Sequence, residues 1–375
     1  MITTLLLLFT ASLLALKLTT TPSHHTANIF RATSLSKARL SFTPSRLSAL
    51  DITLLVILVI YKYTTKLLNL HTPCKISKTG KDFALPGLAL SAPLYVTNTD
   101  LENFALAVDQ KRDRHLDDGD YEGNSPLLLA AVTTPLLLIL LSNRHCPVFP
   151  FGAVNTKNRF EFLDPAACRS VTSLKDANVI AHFGGDELPG RRVKRGMEFD
   201  IVVEIESLMI NLGKAERKII FRQVIGILVA LPTSAQPIWE NEAAISTMKE
   251  DSAREWKVVE HVQLSLTAPS KWARVCKDVN PIHMNSLAAK LFGFPGKIAH
   301  GNHVAALVIE TQRKNEASLF WQTQKRWFLE VAFKRPMVLP LDLQIGMTDE
   351  EEKRRGGFEV ARGEKTYVTG DYGEL

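Results

Sequence analysis

Apolar and polar positions alternate along residues 158–164, 198–210 and 216–231, the period-two signature of strands with one buried face. In the second run Phe199, Ile201, Val203 and Ile205 share a side. Turn signals punctuate these runs at Gly184-Gly185, at Pro189-Gly190 and at Asn211 with Gly213. Ahead of them, residues 125–142 (SPLLLAAVTTPLLLILLS) are apolar on every side and contain Pro135. Strand-like surroundings favour a buried helix there over a membrane span. Residues 232–254, rich in Pro, Ser, Gln and acids, read as a linker. The pattern then repeats. Residues 255–266 alternate, short helices follow through 270–293, NHVAALVIETQRK has helical spacing, and strands resume at 326–347, 357–362 and 365–372. Each half thus predicts one long helix followed by antiparallel strands, an α+β unit whose curved sheet wraps a central helix. Such a sheet leaves a long edge that needs a partner, and two halves in one chain supply it internally.

The first hundred residues predict something else. TLLLLFTASLLALKL (4–18) is too short for a comfortable span and has the look of a signal-sequence core. Residues 18–49 are rich in Ser and Thr, carry Arg and Lys, and lack acids, as organelle transit peptides do. Residues 49–70 hold an unbroken apolar core from Ile52 to Tyr61, flanked by Lys62 and Lys66. Two readings stand for that segment: a membrane anchor, favoured on length and flanks, or a buried or interfacial helix. The resulting division is 1–48 presequence, 49–70 anchor, 85–232 first half, 233–254 linker and 255–375 second half.

Charge adds little to this picture. The formal net charge is +6, and residues 1–50 hold five basic side chains and no acid, so the body is close to neutral. No basic stripe with interleaved aromatics points to nucleic acid. Cys74, Cys146, Cys168 and Cys276 are scattered without a CxxC pair, which disfavours both a disulfide framework and a zinc knuckle. The acid-rich run 349–355 reads as a solvated loop between strands.

The chemistry concentrates in KDVNPIHMNSLAAKLFGFPGKIAHGNH, residues 277–303. The helical pattern after Gly301 places that glycine at a helix N-terminus, where backbone N–H groups lack internal partners and carry partial positive charge. Glycine lets a ligand approach such amides closely. A thioester carbonyl held there would be polarised and its enolate stabilised. Asp278 and His283 lie on one loop and can share a water, deprotonate it and return a proton to the substrate. Pro281 stiffens the loop and keeps Asn280 out of helical geometry, so that Asn280 can act as a cap. Acid, base and enolate-stabilising amide suit reversible water addition across a double bond conjugated to a carbonyl. His300 fits orientation of the turn better than direct chemistry, and His303 a structural role. A zinc site from His283, His300 and His303 would need a fourth ligand. Cys276 suits a small buried residue more than a nucleophile.

DVNPIH followed by IAHGNH resembles the MaoC-like acyl dehydratases and (R)-specific enoyl-CoA hydratases of the hot-dog fold. Asp278, Asn280, Pro281, His283, Ala288, Ile298, Ala299, His300 and Gly301 match that family's pattern in order and spacing. The resemblance implies that Asp278 and His283 form the water-activating dyad and that Gly301 supplies the oxyanion amide. It extends weakly over 125–375 and implies a tandem hot-dog whose first half is degenerate. That half lacks the Asp-Asn-Pro-His motif and would shape an acyl tunnel, with 125–142 as a lining helix. NVIAHFGGDE (178–187) copies a few letters of the second motif by chance. Cys276, Lys277, Trp272 and Asn302 depart from the family's usual residues, and none of them removes an acid, a base or an oxyanion donor.

These readings imply a hydro-lyase acting on trans-2-enoyl thioesters of CoA or an acyl carrier. It would use no metal or redox cofactor, with Asn280, Pro281, His300 and Asn302 in support. The alternatives are a non-catalytic acyl-binding scaffold and a thioesterase on the same fold. A homodimer, membrane attachment through the N-terminal segment and an unnamed organelle complete the expectations.

Overall fold

The computed structural model describes residues 25–67, 75–76, 82–108, 125–148, 150, 153–193, 196–211, 214–230, 254–314, 324–350 and 355–375. The described chain opens with α1 (Thr26–Ser34), β1 (Lys37–Arg39) and α2 (Ala49–Leu67), followed by the short strands β2 (Lys75–Ile76) and β3 (Asp82–Ala84). The first half holds β4 (Leu88–Leu94), α3 (Asn98–Ala107), α4 (Pro126–Ser142), β5 (Ala153–Phe162), α5 (Pro165–Arg169), β6 (Ala177–Phe183), β7 (Gly190–Val193), β8 (Gly196–Asn211) and β9 (Lys214–Ala230). The second half holds β10 (Lys257–Leu264), α6 (Ala268–Cys276), α7 (Pro281–Met284), α8 (Ser286–Leu291) and α9 (Gly301–Lys314), then β11 (Trp327–Phe333), β12 (Leu341–Glu350), β13 (Arg355–Arg362) and β14 (Lys365–Glu374).

The sheet runs β1-β4-β6-β8-β9-β5-β11-β14-β13-β12-β10, with β2, β3 and β7 off this path. An internal repeat is written into that order. The strand before the central helix (β4 or β10) lies outermost among the five strands of its half. The strand after the helix (β5 or β11) lies at the middle of the molecule, and the remaining three follow in the same order on both sides. β5 and β11 pair antiparallel, with Phe162 opposite Trp327 and Phe160 opposite Leu329. The rings of Phe162 and Trp327 stack at 3.8 Å. Each half therefore has its open edge covered by the other, and β1 adds a parallel strand to β4 at one end.

Alternation does what the sequence predicts. In β4 and β6 every second residue is buried, and the apolar face turns toward α4. α4 is apolar all round because protein surrounds it: Leu127 to Val132, Leu136, Ile139 and Leu140 are buried. Pro135 removes one helical hydrogen bond, a defect that costs about 3 kcal/mol or more in a helix interior and is offset here by burial. NVIAHF at 178–183 lies within strand β6, so its likeness to the second motif carries no helix start. The predicted 326–347 run divides into β11 and β12 around the 334–340 loop. Cys146, Cys168 and Cys276 are buried and free, and Cys74 lies outside the described residues.

The membrane anchor is overturned. Among the described residues no helix is long and apolar enough to cross a membrane. Of the 49–70 segment, Ala49–Leu67 form α2, which packs against α4, and residues 68–70 lie outside the described residues. Asp51 and Lys62 are buried, Asp51 accepting from the Ser48 amide at 2.9 Å and Lys62 Nζ donating to the Leu141 carbonyl at 2.9 Å. Of the 1–48 presequence, residues 25–48 are part of the fold. Ile29 and Ala32 are buried, and Ser36 and Leu40 bond to β4 through Ala89 and Ser91. Asn143 Nδ2 donates to the Ala32 and Leu35 carbonyls at the end of α1. Residues 1–24 lie outside the described residues, as does most of the 233–254 linker.

Candidate active site

α6 ends at Cys276, and Lys277 takes a left-handed conformation (φ 54°) that turns the chain into the 278–280 loop. The loop is tied locally. The Asn280 amide donates to Asp278 Oδ1 at 3.0 Å, and Asn280 Oδ1 caps α7 by accepting from the Ile282 amide at 3.3 Å. Pro281, at the first helical position, lacks the N–H that would otherwise be unsatisfied. These bonds fix Asp278 Oδ1 and leave Oδ2 directed at the second motif.

The second motif is pinned from two sides. Ile298 pairs with Val338, the Ala299 amide donates to the Met337 carbonyl at 2.9 Å, and the Ile298 amide donates to the Ile282 carbonyl at 3.2 Å. α9 starts at Gly301, and the His300 carbonyl accepts its first bonds, from His303 and Val304. The Gly301 and Asn302 amides belong to the first turn, which has no intrahelical acceptor for them. A Cβ on Gly301 would lie 2.5 Å from a Phe333 ring carbon, so this close approach admits only glycine without movement.

Asp278, His283 and His300 converge: each offers a ligand-capable atom, and these atoms all lie within 4.8 Å of one another. Sequence reasoning paired Asp278 with His283. The structure adds His300 as the closer imidazole, its Nε2 3.6 Å from Asp278 Oδ2 and its ring stacked on that of His283 at 3.8 Å. His283 Nδ1 sits 2.8 Å from the Ile298 carbonyl oxygen. A carbonyl can only accept, so Nδ1 carries the proton and Nε2 is the basic nitrogen. Burial lowers the pKa of His283, opposed by Asp278 and by the Ile298 bond. Burial, with His283 and His303 nearby, holds His300 well below the usual range, so the contact with Asp278 joins a carboxylate to a neutral ring. Burial pushes the Cys276 thiol up, which removes it as a nucleophile at neutral pH. These three ligand-capable groups are fewer than the four protein ligands of a structural zinc site and equal in number to those of a catalytic one.

Asn302 has a partner that the sequence did not reveal, and His303 takes the structural role expected of it. Asn302 Oδ1 accepts from Asn158 Nδ2 of β5, so the first half orients the helix start of the second. Asn158 was invisible in the sequence, lying 144 positions away with no motif around it. His303 Nε2 is 2.8 Å from the Ala107 carbonyl and its ring stacks on Trp272, a structural placement. Asp278, His283, His300 and Gly301 open onto a cavity of about 540 Å³ that extends along Leu137, Leu138 and Leu141 of α4. Lys334 and Arg335 also line it.

Two central helices wrapped by one continuous sheet define a double hot-dog fold, and an acid, two imidazoles and a helix N-terminus meet on its apolar cavity. Within that fold, residues 251–371 match the family model described as MaoC like domain, and the chain carries a MaoC-like dehydratase domain there. The chain is 29% identical over 213 residues to 3-hydroxyacyl-thioester dehydratase X of Mycobacterium tuberculosis, an alignment covering 56% of this chain and 64% of the relative. The fold is shared with the crystal structure of HtdX from Mycobacterium tuberculosis (TM-score 0.55, 19% identity), covering 76% of this chain and all of the other. It is shared likewise with a MaoC-like dehydratase from Phytophthora capsici (TM-score 0.57, 14% identity), covering 78% of this chain and 95% of the other.

Proposed function

We propose that this chain is a hydro-lyase that adds water to trans-2-enoyl thioesters, of CoA or an acyl carrier, to give (R)-3-hydroxyacyl thioesters, and catalyses the reverse dehydration. One observation carries the reading: the convergence of Asp278 and His283 beside the Gly301 amide on a single apolar cavity. The thioester oxygen takes the Gly301 N–H. Asp278 Oδ2 and His283 Nε2 accept the two protons of one water. As the water oxygen bonds to C3, His283 takes a proton, and the π electrons move through C2 onto the thioester oxygen. Collapse of that enolate takes the proton back at C2, so the elements of water are added with no net change at the dyad. Nothing is oxidised, and no electron acceptor is required. His300 orients His283 by stacking, and Asn280 with Pro281 holds Asp278.

The test compares crotonyl-CoA hydration by the wild type and by Asp278→Asn. The expected loss is roughly a hundred- to ten-thousandfold in kcat. No hydration by the wild type with intact acyl-CoA binding would favour a scaffold, and release of free CoA thiol would favour a thioesterase. In this proposal the chain comprises a first half at 85–232 and a second at 255–375, joined by a linker at 233–254. Organellar delivery is proposed for the N-terminal segment 1–48, and a fluorescent fusion of residues 1–75 tests it.

A further inference from the structure

We infer that α2 is a specificity wall, and that its face formed by Ile52, Leu55, Val56 and Val59 limits the acyl chains the cavity accepts. The inference rests on the thioester reading above. The four residues stand at i, i+3, i+4 and i+7, on one side of the helix, and all four line the same cavity as Asp278 and His283. Leu137, Leu138 and Leu141 of α4 contribute a second wall. The cavity volume, about 540 Å³, falls in the range of small-molecule sites, roughly 300–1,000 Å³.

α2 belongs to neither helix-in-sheet repeat, so the fold does not require it to lie there. A specific polar tie sets its position on α4. Its own start is closed locally, Asp51 Oδ2 accepting from the Ser48 amide and from the Ser48 hydroxyl at 2.7 Å. Toward the end, Lys62, only 3% exposed, donates to the Leu141 carbonyl in the last turn of α4. Helix C-termini leave carbonyls without internal donors and attract cations. An ammonium group buried against such a carbonyl fixes the register of α2 on α4 more tightly than apolar packing alone. A wall held in this way discriminates by length, because one methylene more or less in an apolar pocket changes reaction rates by roughly 10–200-fold.

The experiment measures the ratio of kcat/KM for trans-2-dodecenoyl-CoA to that for crotonyl-CoA. Val56→Trp narrows the cavity, and the ratio is expected to fall by about tenfold or more. Ile52→Ala widens it, and the ratio is expected to rise. Tyr61→Ala, on the 58% exposed side of the same helix, leaves the ratio unchanged. The inference is overturned if neither cavity-facing variant moves the ratio, or if Tyr61→Ala moves it as far. Should the wild type hydrate neither substrate, calorimetric titration with lauroyl-CoA and butyryl-CoA decides instead. Selective loss of lauroyl-CoA binding in Val56→Trp upholds the wall while the hydratase reading falls, and equal binding overturns the wall.

Discussion

Gly301→Ala separates the oxyanion role from the fold. The added methyl would meet Phe333 Cε1, Cζ and Cδ1 at 2.5, 2.7 and 2.8 Å. Carbon contacts settle at about 3.5–4.0 Å, so ring and helix start must part by about 1 Å. Overpacking of this kind costs roughly 1–3 kcal/mol of stability. If the helix start moves, the Gly301 amide leaves its place by a distance that alone can cost about a hundredfold in rate. Loss of an oxyanion donor costs about a hundred- to a thousandfold in kcat. The assay is initial-rate hydration of crotonyl-CoA beside thermal unfolding. Phe333→Leu in the same background gives the methyl room and is expected to recover both. A variant that keeps kcat within about threefold, less than a single such donor supplies, would refute the placement of the thioester oxygen at this amide once a structure of the variant shows the helix start displaced.

Other outcomes follow from the same geometry. Burial lowers the pKa of His283 from 6.5, so its neutral base form persists at pH 7. kcat/KM should hold flat near neutrality and fall only as pH drops below 6.5 toward the depressed value. Asp278→Asn removes the charge that raises the His283 pKa, so the acid limb seen in its residual activity should move further down. The same shift makes stability pH-dependent. His283 and His300 bind fewer protons folded than unfolded in that window, so their contribution is complete above 6.5 and is lost as pH falls through their folded values. Thermal midpoints between pH 7 and 5 measure this, and a flat profile would contradict it. Asn158→Ala leaves Asn302 without its donor at the helix start, an expected stability loss of about 1–3 kcal/mol, readable by denaturant titration.

The motifs of the candidate site were legible because they are local. Asp278, Asn280, Pro281 and His283 define a loop within six residues, and the His300-Gly301 step announces a helix start. Rotation about that loop is not written in spacing, which is why His300 rather than His283 proved nearest to Asp278. The fate of 49–67 was illegible for a different reason. A helix that is apolar on most sides satisfies lipid and a protein interior equally, and the deciding contact, Lys62 to Leu141, joins positions 79 apart. Residues 25–48 lack acids as a transit peptide does, and their place in the fold was illegible because β1 finds its parallel partner in β4 some fifty positions later.

The antiparallel seam between β5 and β11 has a genetic corollary. Two identical subunits joined at such a seam share one coding sequence, so any mutation appears on both sides at once. Covalent union lifts that constraint. The first half is then free to lack the Asp-Asn-Pro-His loop and to donate Asn158 to its neighbour's helix start, while the second holds Asp278 and His283.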